Sequence, residues 1–438
     1  MKARKPRSEP NPRSTAMTIP QDPSIGNTFR LLHSEGYEFV SNRCRRFGTD
    51  IFSTRILLKK AICMQGAEAA EQFYSPGRFT RRGAMPRFAL NLLQDTGSVL
   101  TLDREDHHLR KQMFLSMMTP EKLAYLAELT AFHWWAEARK WQALESLVLL
   151  HEAYVPLCAA VCEWAGLHLR EGTIRRRAEE FEAMIEGAGR FGPRNWQGRR
   201  MRAHTELWAR KVVRRIRSGQ MRVPAESPAA AICAFRDHKG RLLDTKTAAV
   251  ELLNVLRPTV ANARYIVFAA LALHQNPEWR DKIMRSDEHL AAFVDEVRRF
   301  YPFVPIVGGR VLEPFRWRNH LFKKRDWVLF DLYGTNHDPR IWGDPATFRP
   351  ERFLERKFGP CELVSHGAGD PRVTHRCPGE SITVEQLNAV LRVSAYEISY
   401  DVPRQDLRID LSRIPASPTS GFIISNLRVG ASTFRKVA

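Results

Sequence analysis

Nowhere in its 438 residues does the chain hold about 18 uninterrupted apolar residues, the minimum for a helix that crosses a bilayer, so a spanning segment is not expected. The opening stretch, Met1-Lys-Ala-Arg-Lys-Pro-Arg-Ser8, is followed by no apolar region, which argues against a signal peptide or a membrane anchor. Residues 1–19 are expected to be a disordered basic tail, and 20–438 a single domain. Cysteine is scarce and odd in number, seven with no C-x-x-C spacing, which speaks against a disulfide framework and a zinc site and for a reducing compartment such as the cytoplasm. Acidic residues are outnumbered, 48 against 68 basic ones, leaving a formal charge of +20. The excess is spread along the chain with no helix-turn-helix, zinc-finger or RNP signature, so nucleic acid is not the expected partner. Such a shell attracts small anions instead.

Apolar residues make up 44%, with ten tryptophans and 24 phenylalanines, enough to fill a large core. Alternating apolar residues in Ile51–Ile56 and Lys60–Met64 predict a small sheet. From about Glu121 to His274 the apolar spacing is three and four residues, the period of helices. A Gly-Pro break at Gly192-Pro193 precedes a very basic helix running through Arg217, whose plain reading is a solvated face. Beyond Pro302 strand-like pieces such as Asp326–Asp331 appear between turns. The expected fold class is mainly α with a minor β part, in one domain.

The chemistry concentrates near the C-terminus. In Gly367-Ala-Gly-Asp-Pro-Arg-Val-Thr-His-Arg-Cys377-Pro-Gly379-Glu380 a loop feeds a helix, so Cys377 faces the amide donors and positive dipole of a helix start, which favour a thiolate. A thiolate is a strong electron donor to a haem iron; the alternative is an inert buried cysteine. Upstream, Glu296 and Arg299 stand one helical turn apart and can pair. Arg352, in Arg349-Pro-Glu-Arg352-Phe353, could complete a buried triad.

In that order and spacing, the three motifs resemble the cytochrome P-450 family, over about Pro20 to Val429. The resemblance implies the P-450 fold and haem b, with Cys377 as the proximal iron ligand. The phenylalanine usual seven residues before that cysteine is replaced by Asp370 in a lengthened loop, a form that resembles the bacterial fatty-acid peroxygenases.

The predicted helix Thr245–His274 would cross the distal face of the haem, and it carries Arg257-Pro258 where oxygen-using monooxygenases commonly have an acid and an alcohol. Proline there removes an amide donor and should open the helix at the carbonyl of Asn254. Arg257 offers a planar fork suited to a carboxylate, unless it pairs internally with Glu251. The resemblance implies that Arg257 and Pro258 form the catalytic pair, Arg257 binding the carboxylate of a fatty acid while hydrogen peroxide serves as oxidant without a redox partner. It also implies that Arg81, His107 and Lys111 lie near the haem propionates, exposed helix ends being the bland alternative. Leu100 stands where the branch usually has His or Gln. It can donate no proton, which disfavours decarboxylation to terminal alkenes and favours hydroxylation at the α or β carbon. Phe191, Phe303 and Pro305 are candidates for the alkyl pocket, or plain core. The rival readings are a monooxygenase fed by NAD(P)H through a redox partner, and a non-enzymatic haem sensor or fatty-acid carrier.

Overall fold

A computed structural model describes residues 19–93, 97–189 and 191–430; the expected tail lies outside these but for Ile19. The sheet expected near residue 51 is present. Strands β1 (Ile51–Ile56) and β2 (Lys59–Met64) pair antiparallel, turning at Leu57 and Leu58, both at positive φ. They join β3 (Phe79–Thr80), β4 (Ile306–Val311) and β5 (Trp327–Asp331) in a five-stranded sheet of order β1-β2-β5-β4-β3. All five residues of β5 are buried, as a central strand covered on both faces should be.

The remainder is chiefly helical. The helices that position the site are α1 (Arg87–Leu93), α2 (Arg104–Ser116), α3 (Glu171–Gly187), α4 (Pro193–Arg217), α5 (Thr245–Ala261), α6 (Ala263–Gln275), α7 (Asp287–Phe300) and α8 (Glu380–Glu397). The largest apolar cluster gathers α5, α6, α7 and α8 with Pro120–Trp141 and Tyr154–Trp164, and two smaller clusters lie on the sheet. Glycines let α3 and α4 approach closely: a Cβ on Gly198 would stand 2.7 Å from the Ala183 carbonyl oxygen and 3.4 Å from the Leu92 side chain. Helix α4 is thereby seated on α1. Among the described residues no helix is long and apolar enough to cross a membrane.

One expectation is corrected. The helix predicted over 245–274 does not open at Pro258; α5 continues through it to Ala261, and the interruption falls at Asn262. Tertiary hydrogen bonds hold that break. The Asn262 amide nitrogen donates to Gln386 Oε1 at 2.8 Å, and its oxygen accepts from the Thr383 hydroxyl at 3.0 Å, both partners lying on α8.

Candidate active site

The expected triad is assembled and fully buried. Arg299 donates twice to Glu296, each bond 2.7 Å, and Arg352 Nε lies 3.2 Å from Glu296 Oε2. The remaining guanidinium donors are absorbed by carbonyls: Arg299 reaches Asn336 and Pro345, and Arg352 reaches Trp342 and Asp344. Glu296 Oε1 also accepts from the Arg349 amide at 2.8 Å. The cluster therefore pins the Arg349–Arg352 loop against α7 and leaves no oxygen of Glu296 idle.

Cys377 ends the loop that leads into α8. Its amide donates to the His366 carbonyl at 2.8 Å, and Lys111 on α2 donates to the carbonyls of Thr374 and Arg376, at 2.6 Å to the latter. Lys111 thus spends donors on holding the cysteine loop and is itself buried, its pKa drawn down to about 8 chiefly by burial. Beneath the loop, Glu380 accepts from Arg376 and Arg298 and is held at about 2; burial acts upward, but Arg298 and Arg376 outweigh it. Of the seven cysteines Cys377 alone is exposed, although protein groups crowd around it. An exposed thiol inside the fold is one that faces an internal opening. Burial raises its pKa despite the Gly379 amide and the nearby Lys111 and Arg376 charges, so the start of α8 does not by itself make the thiolate expected from sequence.

Beside the loop, Thr374 and His375 stand in the wall of a cavity of about 320 Å³ that Arg81, Asp103 and His107 also line. Arg81 is buried, lies over the Phe73 ring at 4.1 Å and donates to the Gly308 carbonyl at 2.9 Å. His107 stacks on His375 with ring centroids 4.1 Å apart, and burial brings its pKa down to about 4, so it is a neutral donor. A thiol facing an interior opening, with a guanidinium and two imidazoles at one edge, fits an iron porphyrin held by sulfur and by its two carboxylate arms.

The remaining candidates Arg257 and Pro258 lie on α5. Pro258 is exposed in the middle of a helix whose residues 251–253, 255–257, 259 and 260 are buried, so the face bearing Asn254 and Pro258 is the one the protein leaves uncovered. Arg257 is only 4% exposed and donates to the Leu92 carbonyl at 3.1 Å. The internal pairing with Glu251 does not occur. Glu251, wholly buried, belongs to Arg110 at 2.5 Å and accepts further from the Val99 amide and Asn254. Among the described residues no carboxylate pairs with Arg257, and its pKa is pushed well below the usual arginine range by burial and then by Arg202. Arg202, on the inner face of α4, donates to the same Leu92 carbonyl at 3.2 Å. Among the described residues this buried cation therefore has no compensating charge. The neighbouring Thr259 hydroxyl is turned back onto the Val255 carbonyl at 2.8 Å.

The other expected residues scatter. Leu100 is half-buried in a 3₁₀ turn, Val99–Thr101, next to the amide that Glu251 accepts. Phe303 is half-buried and stacks on Tyr265 at 4.3 Å, and Pro305 follows it at the entrance to β4, its carbonyl taking the Leu332 amide. Phe191 lies at the surface, 49% exposed and packed on Phe88 at 4.1 Å, a rim position rather than a pocket wall. The sequence reading missed Arg202, His366 and Asn262. Arg202 carried a signal: with Asn195, Gly198, Thr205 and Ala209 it follows the helical period of the small, inward residues of α4.

The cytochrome P-450 family pattern matches residues 269–394, which contain the triad and Cys377. Among curated relatives, flavonoid-6-hydroxylase of Ocimum basilicum is 35% identical over 120 residues, a quarter of this chain (25%) and 22% of that protein. The same enzyme of Mentha piperita is 28% identical over 200 residues, 42% and 38% of the two chains. The matched segments thus span well under half of either relative. Solved structures match along nearly the whole chain. Cytochrome P-450SP alpha in complex with (R)-ibuprophen is 41% identical, with 92% of this chain and 99% of that one covered and a TM-score of 0.90. Cytochrome P-450EX alpha with myristic acid is 38% identical, covering 94% and 100%, at 0.90, and a variant of cytochrome P-450 OleT with arachidonic acid is 32% identical, covering 95% and 100%, at 0.91. The cofactor of such a fold is thiolate-ligated haem b. The chain belongs to the cytochrome P-450 family, and within it to the fatty-acid peroxygenase branch.

Proposed function

We propose that this protein hydroxylates fatty acids at the α or β carbon at the expense of hydrogen peroxide, one peroxide oxygen entering the C–H bond and the other leaving as water. The observation that carries the reading is Arg257: a buried guanidinium with no acidic partner among the described residues, next to the exposed Pro258 on a continuous helix. Such a charge is a standing demand for an anion, and a fatty-acid carboxylate is a planar anion that two guanidinium N–H groups can grip together. The relatives crystallised with myristic acid and arachidonic acid support that substrate class.

Cys377 would hold haem through its sulfur, and the haem would supply an iron centre for the peroxide chemistry. Arg81, His107 and His375 would meet its carboxylate arms, and Lys111 fixes the loop that carries the sulfur. Among the described residues α5 brings no acid or free alcohol beside Pro258: proline itself has none, and the Thr259 hydroxyl is committed to Val255. The proton of peroxide is therefore left to the carboxylate that Arg257 holds, which acts as general acid and base while Arg257 stays charged. Gripping the carboxylate also fixes the near carbons, so position rather than C–H strength selects the α or β site. Leu100 adds no proton donor, which favours hydroxy acids over terminal alkenes. No redox partner enters this scheme, and seven free cysteines suit the cytoplasm as its compartment.

The test is to give the purified haem protein hydrogen peroxide and a long-chain fatty acid without any reductase, and to analyse products by mass spectrometry. Hydroxy acids bearing the group at the α or β carbon are expected. Turnover only with NAD(P)H and a reductase would refute the reading in favour of a conventional monooxygenase.

A further inference from the structure

The mechanism makes no use of the outer face of α4. That helix carries nine basic residues and one acid, Glu206, which is itself occupied by Arg210 and Arg202. Trp196, Arg200, Ala203, Leu207, Lys211 and Arg214 recur every three to four residues, all are exposed, and they therefore form one stripe along the helix. Arg199 and Arg215, also exposed, flank it. Within this stripe Trp196 is 65% and Leu207 57% exposed, two large apolar side chains set among cations. A solvated helix face has no use for them there, and a face built only for nucleic acid has little. Cations interleaved with exposed Trp and Leu suit a helix that lies on an anionic bilayer, the arginines at the headgroups and the apolar side chains at the acyl boundary.

The location agrees. The inner face of α4 rests on Leu92 through Gly198, and the Leu92 carbonyl receives both Arg202 and Arg257. The stripe is thus one helix thickness, about 10 Å, from the carboxylate clamp. Phe88 and Phe191 pair at the near end of α4, where the chain enters the helix through Gly192 and Pro193.

We propose that the outer face of α4 docks this protein peripherally onto a bilayer containing anionic phospholipid, from which fatty acid passes beneath the helix to Arg257. The docking stands on the surface alone; the transfer rests on the fatty-acid reading above.

The experiment is co-sedimentation of the holoprotein with phosphatidylcholine vesicles, with and without phosphatidylglycerol. Binding is expected only to the anionic vesicles and should weaken as salt rises. At roughly one kcal/mol for each cation near the surface, the combined substitution Arg199→Gln, Arg200→Gln, Lys211→Gln and Arg214→Gln should lower affinity by about 10²- to 10³-fold. Trp196→Ala should lower it about tenfold and remove the vesicle-induced blue shift of tryptophan emission. Both variants should turn over dissolved fatty acid at the wild-type rate and vesicle-held fatty acid more slowly. Equal binding to both vesicle types, or an unchanged affinity of the fourfold variant, would overturn the docking. So would tighter binding to duplex DNA than to anionic vesicles, insensitive to Trp196→Ala. Vesicle binding without any turnover would support the docking while refuting the catalytic reading, so the two failures are distinguishable.

Discussion

Replacing Arg257 by methionine should make the protein more stable and less useful. The guanidinium is buried, repelled by Arg202 and without an acidic partner among the described residues, so its removal relieves a desolvation penalty that amounts to several kcal/mol for a buried ion. The loss on the other side is small. Among the described residues Arg257 makes one hydrogen bond, to the Leu92 carbonyl, worth about 1.5–3 kcal/mol as a charged bond, and Arg202 remains to satisfy that oxygen. Methionine refills most of the volume with an unbranched apolar chain. The expected balance is a ligand-free Arg257→Met protein more stable by about 1–3 kcal/mol.

Ligand binding should move the other way. Two charge-assisted hydrogen bonds to a carboxylate contribute about 3–6 kcal/mol, so the variant should bind fatty acid about 10²- to 10⁴-fold more weakly. The assay is paired: urea unfolding without ligand, then thermal unfolding with a saturating fatty acid. At a hundred times its dissociation constant the ligand should stabilise the wild type by about 2.7 kcal/mol, and the same concentration should stabilise the variant by no more than about 0.4 kcal/mol. A variant that is less stable when empty, or that keeps its affinity, would refute the argument that the buried charge waits for an external anion.

Four further outcomes are expected. Asp331 is wholly buried and raised to about 7 by burial, partly opposed by the Gly334 amide and the Ser41 hydroxyl; the folded state thus binds its proton more tightly than the unfolded state. This contribution to stability is fully present below about pH 4 and lost as pH rises through about 7, by up to about 4 kcal/mol, and denaturant titrations should find Asp331→Asn flat across that window and more stable than wild type at pH 8. Glu296→Gln leaves Arg299 and Arg352 buried without a counter-charge and should cost about 3–5 kcal/mol, read as a lower unfolding midpoint; a shift within error would show the triad to be dispensable. The ferrous carbon-monoxide complex of the wild type should show the strongly red-shifted Soret band of thiolate ligation, and Cys377→His the unshifted one; a histidine-like band in the wild type would remove Cys377 from the iron. Leu100→His should raise the fraction of terminal alkene among peroxide-driven products, and an unchanged ratio would show that residue 100 does not steer the reaction.

What could be read in the sequence was whatever depends on neighbours along the chain. The Glu296–Arg299 pair is one helical turn, the cysteine loop is one segment, and β1 and β2 alternate in plain view, so all were legible. What could not be read depends on partners far away. Arg110 claims Glu251 from 141 positions upstream, which decides that Arg257 is left without it. Lys111 looks like a free cation at a helix end, yet its donors go to carbonyls more than 260 residues on. The break after Pro258 was misplaced because proline rules describe an isolated helix, whereas Gln386 and Thr383 fix the interruption at Asn262.

That misplacement has a structural meaning. Asn262 accepts from Thr383, whose hydroxyl oxygen lies 3.2 Å from His366 Nε2, and the His366 carbonyl receives the Cys377 amide at 2.8 Å. The helix bearing Arg257 and the loop bearing Cys377 are therefore joined by one chain of hydrogen bonds, although 120 residues separate the two site residues in the sequence. His366 is half-buried and held near pKa 3 by desolvation and Arg298, so it is a neutral link with one donor and one acceptor, and protonation does not break the chain at any ordinary pH. A break at Pro258 would have loosened Arg257 itself. Placing it at Asn262 keeps Arg257 on a continuous helix and puts the freed side chain where it can fix the distance between Arg257 and the sulfur, the length on which regioselectivity at the near carbons depends under the proposed mechanism.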